Sequence, residues 1–284
     1  IGAGAIGGWL GGRLALHGHR VTLVGRAPLV QAVQSRGLQI LWPEPGGDRR
    51  QQATLTDVNV VTSLAETGAA GPFDLALFTV KTYDTATTLE QMQAADLGQP
   101  SILSFQNGVR SEQTLSRALG AGRVIAGTLL NPISTLEPGT LLLEKWQGGI
   151  GLAAADPYND LEPWAATFRA VLPTRIYHDY QAMKWSKLLL NLIGNASAAI
   201  LDMSTVDVFA NPRLFHLEME MLREAVVVMR HSGLKPVSLP GYPVPLLALG
   251  VLWAPNPLLA PIMRKMVSGG RGDKPPSLLL ELRR

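Results

Sequence analysis

A line of polar residues runs through an apolar segment near residue 190. The segment WSKLLLNLIGN covers residues 185–195, and its Lys187, Asn191 and Asn195 are spaced four apart. On a helix that advances by about 100° per residue, these three side chains share one face. The pattern predicts a helix that packs by its leucines and presents an ammonium group and two carboxamides along one side.

An ammonium group beside two amides suits chemistry at a carbonyl oxygen. Addition of hydride to a ketone builds negative charge on that oxygen, and a fixed cation in a water-poor cleft stabilises this charge. A lysine can also donate the proton, while amides can hold hydroxyl or carboxylate oxygens. The alternatives are that Lys187 extends from the apolar helix to solvent and that the asparagines cap backbone groups or contact another subunit.

The chain begins with a glycine motif. Residues 1–8 read IGAGAIGG, which places G-x-G-x-x-G at Gly2, Gly4 and Gly7. Such glycines permit a tight turn, close approach of a pyrophosphate and close packing of a helix on a sheet, and the helix N-terminus attracts phosphate. A helical pattern and then a strand that ends at Val24 follow, so the motif indicates dinucleotide binding rather than a common glycine-rich turn.

The end of that strand indicates which dinucleotide is preferred. An acidic residue there would bind the ribose 2′-hydroxyl group of NAD, but this chain has Val24-Gly25-Arg26. Because a guanidinium group suits a 2′-phosphate, the sequence favours NADP. The alternative is that Arg26 is a solvated loop residue.

Strand and helix patterns alternate up to about residue 176. This alternation predicts a parallel sheet covered by helices on both faces, and a hairpin appended to that sheet over residues 131–152. Long helical patterns follow. We therefore predict an α/β fold with a Rossmann dinucleotide-binding domain at residues 1–176 and an all-helical domain at residues 177–284. Strand patterns cover residues 20–24, 74–80, 101–105 and 124–129, and helical patterns cover residues 27–36 and 85–95.

Two further patterns describe the helical domain. Asn211 and Pro212 predict the start of a helix, and Gly233 predicts its end. Residues 237–263 carry no charge, but six prolines interrupt them. Because no proline-free run there is long enough for a membrane span, we expect short apolar helices in a core, a lid or a homodimer contact.

Composition excludes several classes of function. The absence of cysteine excludes disulfides and thiolate sites and favours a cytoplasmic protein. A formal net charge of +3 with scattered basic residues argues against nucleic acid, and the five histidines lack the spacing of metal ligands. Residues 1–20 contain no signal peptide, and we expect the printed chain to begin inside the first strand of a longer protein.

The order of the motifs resembles that of a known family. The glycine loop, Val80-Lys81, residues 106–108 (QNG) and the run W-x-K-L-x-x-N-x-x-x-N at residues 185–195 resemble ketopantoate reductase, the 2-dehydropantoate 2-reductase family. The resemblance spans nearly the whole chain. It implies a Rossmann domain followed by a helical domain, with NADPH and substrate in the cleft between them, and hydride transfer to the keto carbon of a 2-oxo acid.

The resemblance also implies roles on the substrate side. Lys187 matches the family's catalytic lysine, which hydrogen-bonds the ketone oxygen and protonates it. Asn191 and Asn195 match two substrate-side asparagines, and Ser277 matches a serine that contacts the substrate carboxylate. The family's essential glutamate would fall after Arg284, so we expect the chain to be truncated at this end as well as before Ile1.

On the cofactor side, Asn107 matches the asparagine that reaches the nicotinamide ribose, and Lys81 matches the lysine at the cofactor side of the cleft. Both residues follow strand patterns, and the carboxyl ends of parallel strands are where such sheets bind ligands. Asn107 with the glycine after it could instead be a simple turn. The expected cofactor contacts are Gly2, Gly4, Gly7, Arg26, Lys81 and Asn107.

Three functions follow as alternatives. The first is an NADPH-dependent reductase that converts ketopantoate to pantoate. The second is a related reductase of another branched or bulky 2-oxo acid, because leucines replace the family's usual residues directly after Ser277. The third is a sensor or assembly protein that binds NADP without turnover. Lys187 favours the first two, since a sensor does not need a lysine aligned with two amides.

Overall fold

The chain divides into two units, one with strands and helices and one with helices. The computed structural model describes residues 1–44 and 49–270. Contacts divide the chain into Ile1–Tyr180 and Gln181–Arg284, a few residues beyond the predicted boundary at residue 176. Within the described ranges, the named strands lie in the first unit and the second unit is helical. The predicted α/β fold, with a Rossmann-like first part and a helical second part, is therefore confirmed.

Within the residues that the structure describes, the first unit consists of strands and five α-helices. The strands are β1 (Thr22–Val24), β2 (Leu38–Pro43), β3 (Arg50–Leu55), β4 (Asn59–Val61), β5 (Leu75–Phe78), β6 (Ser101–Ser104), β7 (Val124–Leu129), β8 (Ile133–Glu137), β9 (Thr140–Leu143), β10 (Ile150–Ala154) and β11 (Thr174–Tyr177). The helices are α1 (Ala5–Leu16), α2 (Ala27–Arg36), α3 (Thr85–Ala94), α4 (Ser111–Leu119) and α5 (Glu162–Arg169).

The main sheet has the strand order β11-β10-β7-β6-β5. Strands β5, β6 and β7 are parallel, as predicted, and β10 is antiparallel to β7. Every residue of β7 is buried, which is the pattern expected of a central strand that is covered on both faces. The parallel arrangement brings the carboxyl ends of β5 and β6 to the same edge of the sheet.

The glycine loop joins this sheet to a second strand pair, β1 and β4, which is also parallel. The backbone nitrogen of Ile1 donates to the carbonyl oxygen of Leu77 on β5, at 2.9 Å. On the other side, the backbone N–H of Gly2 donates to the carbonyl oxygen of Val24 at the end of β1, at 3.0 Å. The loop therefore lies where the carboxyl ends of β1 and β5 meet.

The predicted hairpin is present but belongs to a different sheet. Strands β8 and β9 are antiparallel, yet β9 pairs with β2 and β2 pairs with β3, in the order β3-β2-β9-β8. This sheet packs against α1, because α1 carries glycines on that side. A Cβ atom at Gly8 would lie 2.6 Å from Leu141, and one at Gly12 would lie 2.9 Å from Leu38. The prediction that the hairpin extends the main sheet was wrong.

The second unit is built from helices whose ends follow local sequence signals. They are α6 (Tyr180–Leu192), α7 (Asn195–Leu201), α8 (Thr205–Ala210), α9 (Pro212–His231), α10 (Val244–Trp253) and α11 (Asn256–Gly270). The Asn211 side chain accepts hydrogen bonds from the backbone N–H groups of Arg213 and Leu214, and α9 ends before Gly233, whose φ is +75°. Both predicted ends of α9 are therefore confirmed.

The uncharged stretch after residue 237 forms α10 and the first part of α11. In the part of the chain that the structure describes, no helix has both the length and the apolar character needed to cross a bilayer. Nor do three or more His, Asp or Glu side chains of these residues come together in a way that could hold a metal ion.

Candidate active site

Three glycines shape the loop between the first residues and α1. Gly2 has a φ of +83°, and a Cβ atom there would lie 2.7 Å from Val80 Cγ1. A Cβ atom at Gly7 would overlap Thr79 Oγ1, so α1 can approach β5 only because Gly7 has no side chain. The nearest atom to a Cβ atom at Gly4 would be the Gly2 carbonyl oxygen, at 3.9 Å. The loop thus has a tight turn, an open position and a close helix contact, which together fit a pyrophosphate.

Thr79 braces this loop, and the sequence did not single it out. Its hydroxyl oxygen lies 2.9 Å from the carbonyl oxygen of Ile1 and 2.8 Å from that of Gly2. The signal that could have found it is a hydroxyl residue at the end of the apolar strand sequence DLALF. Because these contacts hold two carbonyl groups of the tight turn in place, Thr79 stabilises the shape of the glycine loop.

Arg26 lies two residues beyond the end of β1 and directly before α2. Its side chain is exposed. The preceding Gly25 is held by its backbone N–H, which donates to the carbonyl oxygen of Val61 on β4 at 3.0 Å. The carbonyl oxygen of Val24 accepts from both Gly2 and Ala3 of the glycine loop, so Arg26 is placed beside that loop. An exposed guanidinium group at this place can reach an anionic group on a ligand that the loop holds.

Lys81 and Asn107 follow β5 and β6 and are both exposed. The loops that carry them are tied together by the buried Gln106. Its Nε2 donates to the carbonyl oxygen of Val80 at 3.0 Å and to the Thr85 hydroxyl oxygen at 2.9 Å. The structure therefore places Lys81 and Asn107 at adjacent strand ends, and Gln106 fixes their separation. The sequence named Gln106 within a motif but assigned it no role.

On the second unit, Lys187 and Asn191 lie on α6, one turn apart, and both are half-buried. Neighbouring positions Ser186 and Leu189 are buried, so another side of the helix packs into the unit. This part of the predicted polar face is therefore present.

Asn195 does not continue that face on the same helix. Helix α6 ends at Leu192, and Gly194 adopts a left-handed conformation with a φ of +67°. A Cβ atom at Gly194 would overlap Thr205 Cγ2, so the chain can turn there only because the residue is glycine. Asn195 begins α7 instead, and its Nδ2 donates back to the carbonyl oxygen of Asn191 at 2.6 Å. The prediction of one continuous helix over residues 185–195 was wrong.

Comparison with known proteins identifies the family. Residues 1–157 match the family model described as ketopantoate reductase PanE/ApbA, and residues 179–279 match its C-terminal model. The chain belongs to the ketopantoate reductase family. It is accordingly an oxidoreductase of the 2-dehydropantoate 2-reductase type, and its family acts on a small molecule with a dinucleotide.

Relatives and solved structures agree with that assignment. The chain is 31% identical to the 2-dehydropantoate 2-reductase of Pyrococcus horikoshii over 83% of its own length and 74% of the relative's. It superposes on the 2-dehydropantoate 2-reductase of Geobacter metallireducens with a TM-score of 0.81 at 24% identity, covering 100% of this chain and 85% of the other. D-mandelate dehydrogenase, solved with NADH and anilino(oxo)acetate, has the same fold at 17% identity and a TM-score of 0.77, covering 98% of this chain and 82% of the other.

Two further points concern this ketopantoate reductase family member. A cavity of about 590 Å³ lies between β1 and β5, and its lining includes Thr22, Leu75 and Gly7 of the glycine loop. It is separate from the strand ends that carry Lys81 and Asn107. The predicted substrate contact Ser277 lies outside the described residues.

Proposed function

We propose that this ketopantoate reductase family member reduces a 2-oxo acid with NADPH, and that 2-dehydropantoate is its leading substrate and pantoate the product. The strongest support is the 31% identity, over 83% of the chain, to a protein named 2-dehydropantoate 2-reductase. The two alternatives, a reductase of another 2-oxo acid and a sensor without turnover, receive no comparable support.

The first unit binds the cofactor in this proposal. The open position at Gly4 and the backbone N–H groups at the start of α1 receive the pyrophosphate. The exposed guanidinium group of Arg26 receives the 2′-phosphate, which NADPH carries and NADH lacks. Lys81 and Asn107, held at adjacent strand ends, contact the nicotinamide side of the cofactor.

The second unit supplies the proton. NADPH, when bound, provides the hydride that adds to the keto carbon. The Lys187 ammonium group donates a hydrogen bond to the keto oxygen, stabilises the negative charge that develops there and transfers its proton to that oxygen. One hydride and one proton convert the ketone to a secondary alcohol, and Lys187 regains its proton from water. Asn191, Asn195 and Ser277 hold the substrate's hydroxyl and carboxylate oxygens.

A panel of 2-oxo acids assayed with NADPH tests this proposal on the full-length protein. We expect the highest kcat/KM for 2-dehydropantoate, measured from the loss of NADPH absorbance, and little turnover of 2-oxo acids that lack a branched hydroxylated chain. A higher kcat/KM for another 2-oxo acid would establish the related reductase instead. Tight NADPH binding without turnover of any compound would establish the sensor.

A further inference from the structure

A carboxylate is fully buried in the core of the second unit. Glu218 lies on α9 and is 0% exposed, between the buried side chains of Phe215 and Leu222 on the same helix. A buried carboxylate is unfavourable unless hydrogen-bond donors satisfy it. Two donors do so here. The backbone N–H of Gly194 donates to Oε2 at 2.8 Å, and the Ser197 hydroxyl donates to Oε1 at 2.5 Å.

Both donors belong to the turn that separates α6 from α7. Gly194 is the left-handed residue of this turn, and Ser197 lies in the first turn of α7. Because Gly194 precedes α7, its N–H has no partner within that helix, and the Glu218 carboxylate accepts it. A residue far along the chain therefore fixes how α7 starts after α6.

The same turn carries two of the residues assigned to substrate binding. Asn191 lies before it on α6, and Asn195 follows it as the first residue of α7. The Asn195 side chain donates to the Asn191 carbonyl oxygen at 2.6 Å, which closes the turn from the other side. Any rotation of α7 about Gly194 would change the distance between the two asparagine side chains.

We infer that Glu218 is a positioning residue for the substrate site, acting through the Gly194 turn to set the separation of Asn191 and Asn195. The inference rests on the proposed function, because it takes these two asparagines as substrate contacts. According to this inference, the substrate site also depends on a buried hydrogen-bond acceptor on α9. Neither the glycine motif nor the polar spacing on α6 predicts this acceptor.

Glu218→Leu and Glu218→Gln test the inference together. Leucine removes both acceptors and leaves a buried N–H unpaired, whereas glutamine can still accept from Gly194 and can donate to the Ser197 oxygen. We expect Glu218→Leu to raise KM for the 2-oxo acid about tenfold, which corresponds to the loss of about one hydrogen bond to the substrate. The Kd of NADPH should stay within about twofold. Glu218→Gln should restore KM to within about threefold of the wild-type value.

Glu220→Leu is the matched control, since it makes the same change on an exposed part of α9, where Glu220 pairs with Arg223. If Glu218→Leu does not fold, Ser197→Ala removes one of the two donors and should raise KM about threefold without changing the Kd of NADPH. Glu218 would be a purely structural residue if its variants, or Ser197→Ala, lowered thermal stability but left KM at the wild-type value.

Amide hydrogen exchange separates this inference from the proposed function. In the free protein, we expect the backbone amides of residues 193–198 to exchange faster in Glu218→Leu than in the wild type. If Glu218→Leu does not fold, Ser197→Ala should show the same loss of protection. Glu218→Gln and Glu220→Leu should keep the wild-type protection. Unchanged protection in both Glu218→Leu and Ser197→Ala would overturn the positioning role, even for a protein that reduces no 2-oxo acid. An inactive wild-type protein with the expected exchange pattern would instead contradict the proposed function and retain the role of Glu218 in the turn.

Discussion

The proposed reaction gives one role each to two charged side chains, Lys187 and Arg26. Lys187 is half-buried on α6, one turn before Asn191, and Arg26 is exposed at the end of β1. In the proposed function Lys187 donates a proton, so its loss should affect the chemical step. Arg26 is proposed to recognise a phosphate, so its loss should affect the choice of cofactor.

Lys187→Ala should lower kcat by about 10² to 10⁴, because it removes the proton donor and the cation beside the developing oxyanion. The Kd of NADPH, measured by fluorescence titration, should change little. Lys235→Ala, at an exposed lysine of the same unit, is the control and should behave like the wild type. Normal turnover by Lys187→Ala would show that another group protonates the substrate.

Arg26→Ala should weaken NADPH binding about tenfold or more and leave NADH binding unchanged, since only NADPH carries the 2′-phosphate. The ratio of kcat/KM for the two cofactors measures this preference. Arg20→Ala, at the opposite end of the same strand region, should leave the ratio unaltered. Equal use of both cofactors by the wild-type protein would contradict the role given to Arg26.

At the scale of elements, the cofactor side depends on polar groups that join strand ends to one another. Thr79 holds the glycine loop at the end of β5, and Gln106 ties the end of β6 to the loop after β5. Neither residue needs to touch a ligand to matter. Both restrain the backbone that presents Lys81 and Asn107.

Gln106→Ala should lower the free energy of unfolding by about 1–3 kcal/mol, because it leaves the half-buried Val80 carbonyl oxygen and the buried Thr85 hydroxyl group without this donor. It should also raise the Kd of NADPH, since the two strand-end loops lose their connection. Urea unfolding and NADPH titration measure the two effects. Gln93→Ala, at an exposed glutamine of α3, is the control. An unchanged NADPH Kd in a destabilised Gln106→Ala would limit Gln106 to a role in stability.

At the scale of the whole molecule, α10 exposes an apolar face. Leu246, Leu249 and Trp253 recur at helical spacing and are 67%, 57% and 74% exposed. On α11, Leu258 and Ile262 are 65% and 63% exposed. Large exposed apolar side chains grouped in this way are typical of protein contacts. A homodimer contact, one of the three roles predicted for residues 237–263, would use this face.

Light scattering tests that prediction. We expect the wild-type protein to have the mass of a dimer, and Leu249→Asp with Trp253→Asp to have the mass of a monomer, because each added carboxylate would be buried without a partner in the contact. Tyr158→Asp changes an exposed aromatic residue of the first unit and should not alter the mass. A monomeric wild-type protein over the working concentration range would rule out this contact.

Local signals in the sequence were sufficient for much of this protein. The glycine loop, the strands β5 to β7 and both ends of α9 follow from residues that act on their immediate neighbours: glycine where the backbone must turn, β-branched and leucine runs where strands are buried, and Asn211 where a helix starts. The family resemblance rests on the same short motifs. Interactions between residues close in the chain determine these features, so the sequence can show them.

Only the tertiary structure decided which distant groups meet. The hairpin of β8 and β9 could have joined either sheet, and the glycines on α1 select the one with β2. Residues 185–195 have a helical pattern throughout, yet Glu218 and Thr205 favour a turn at Gly194. Burial makes these long-range contacts strong, because a buried polar group without a partner and an overlapping side chain each cost more than a local helical preference can offset.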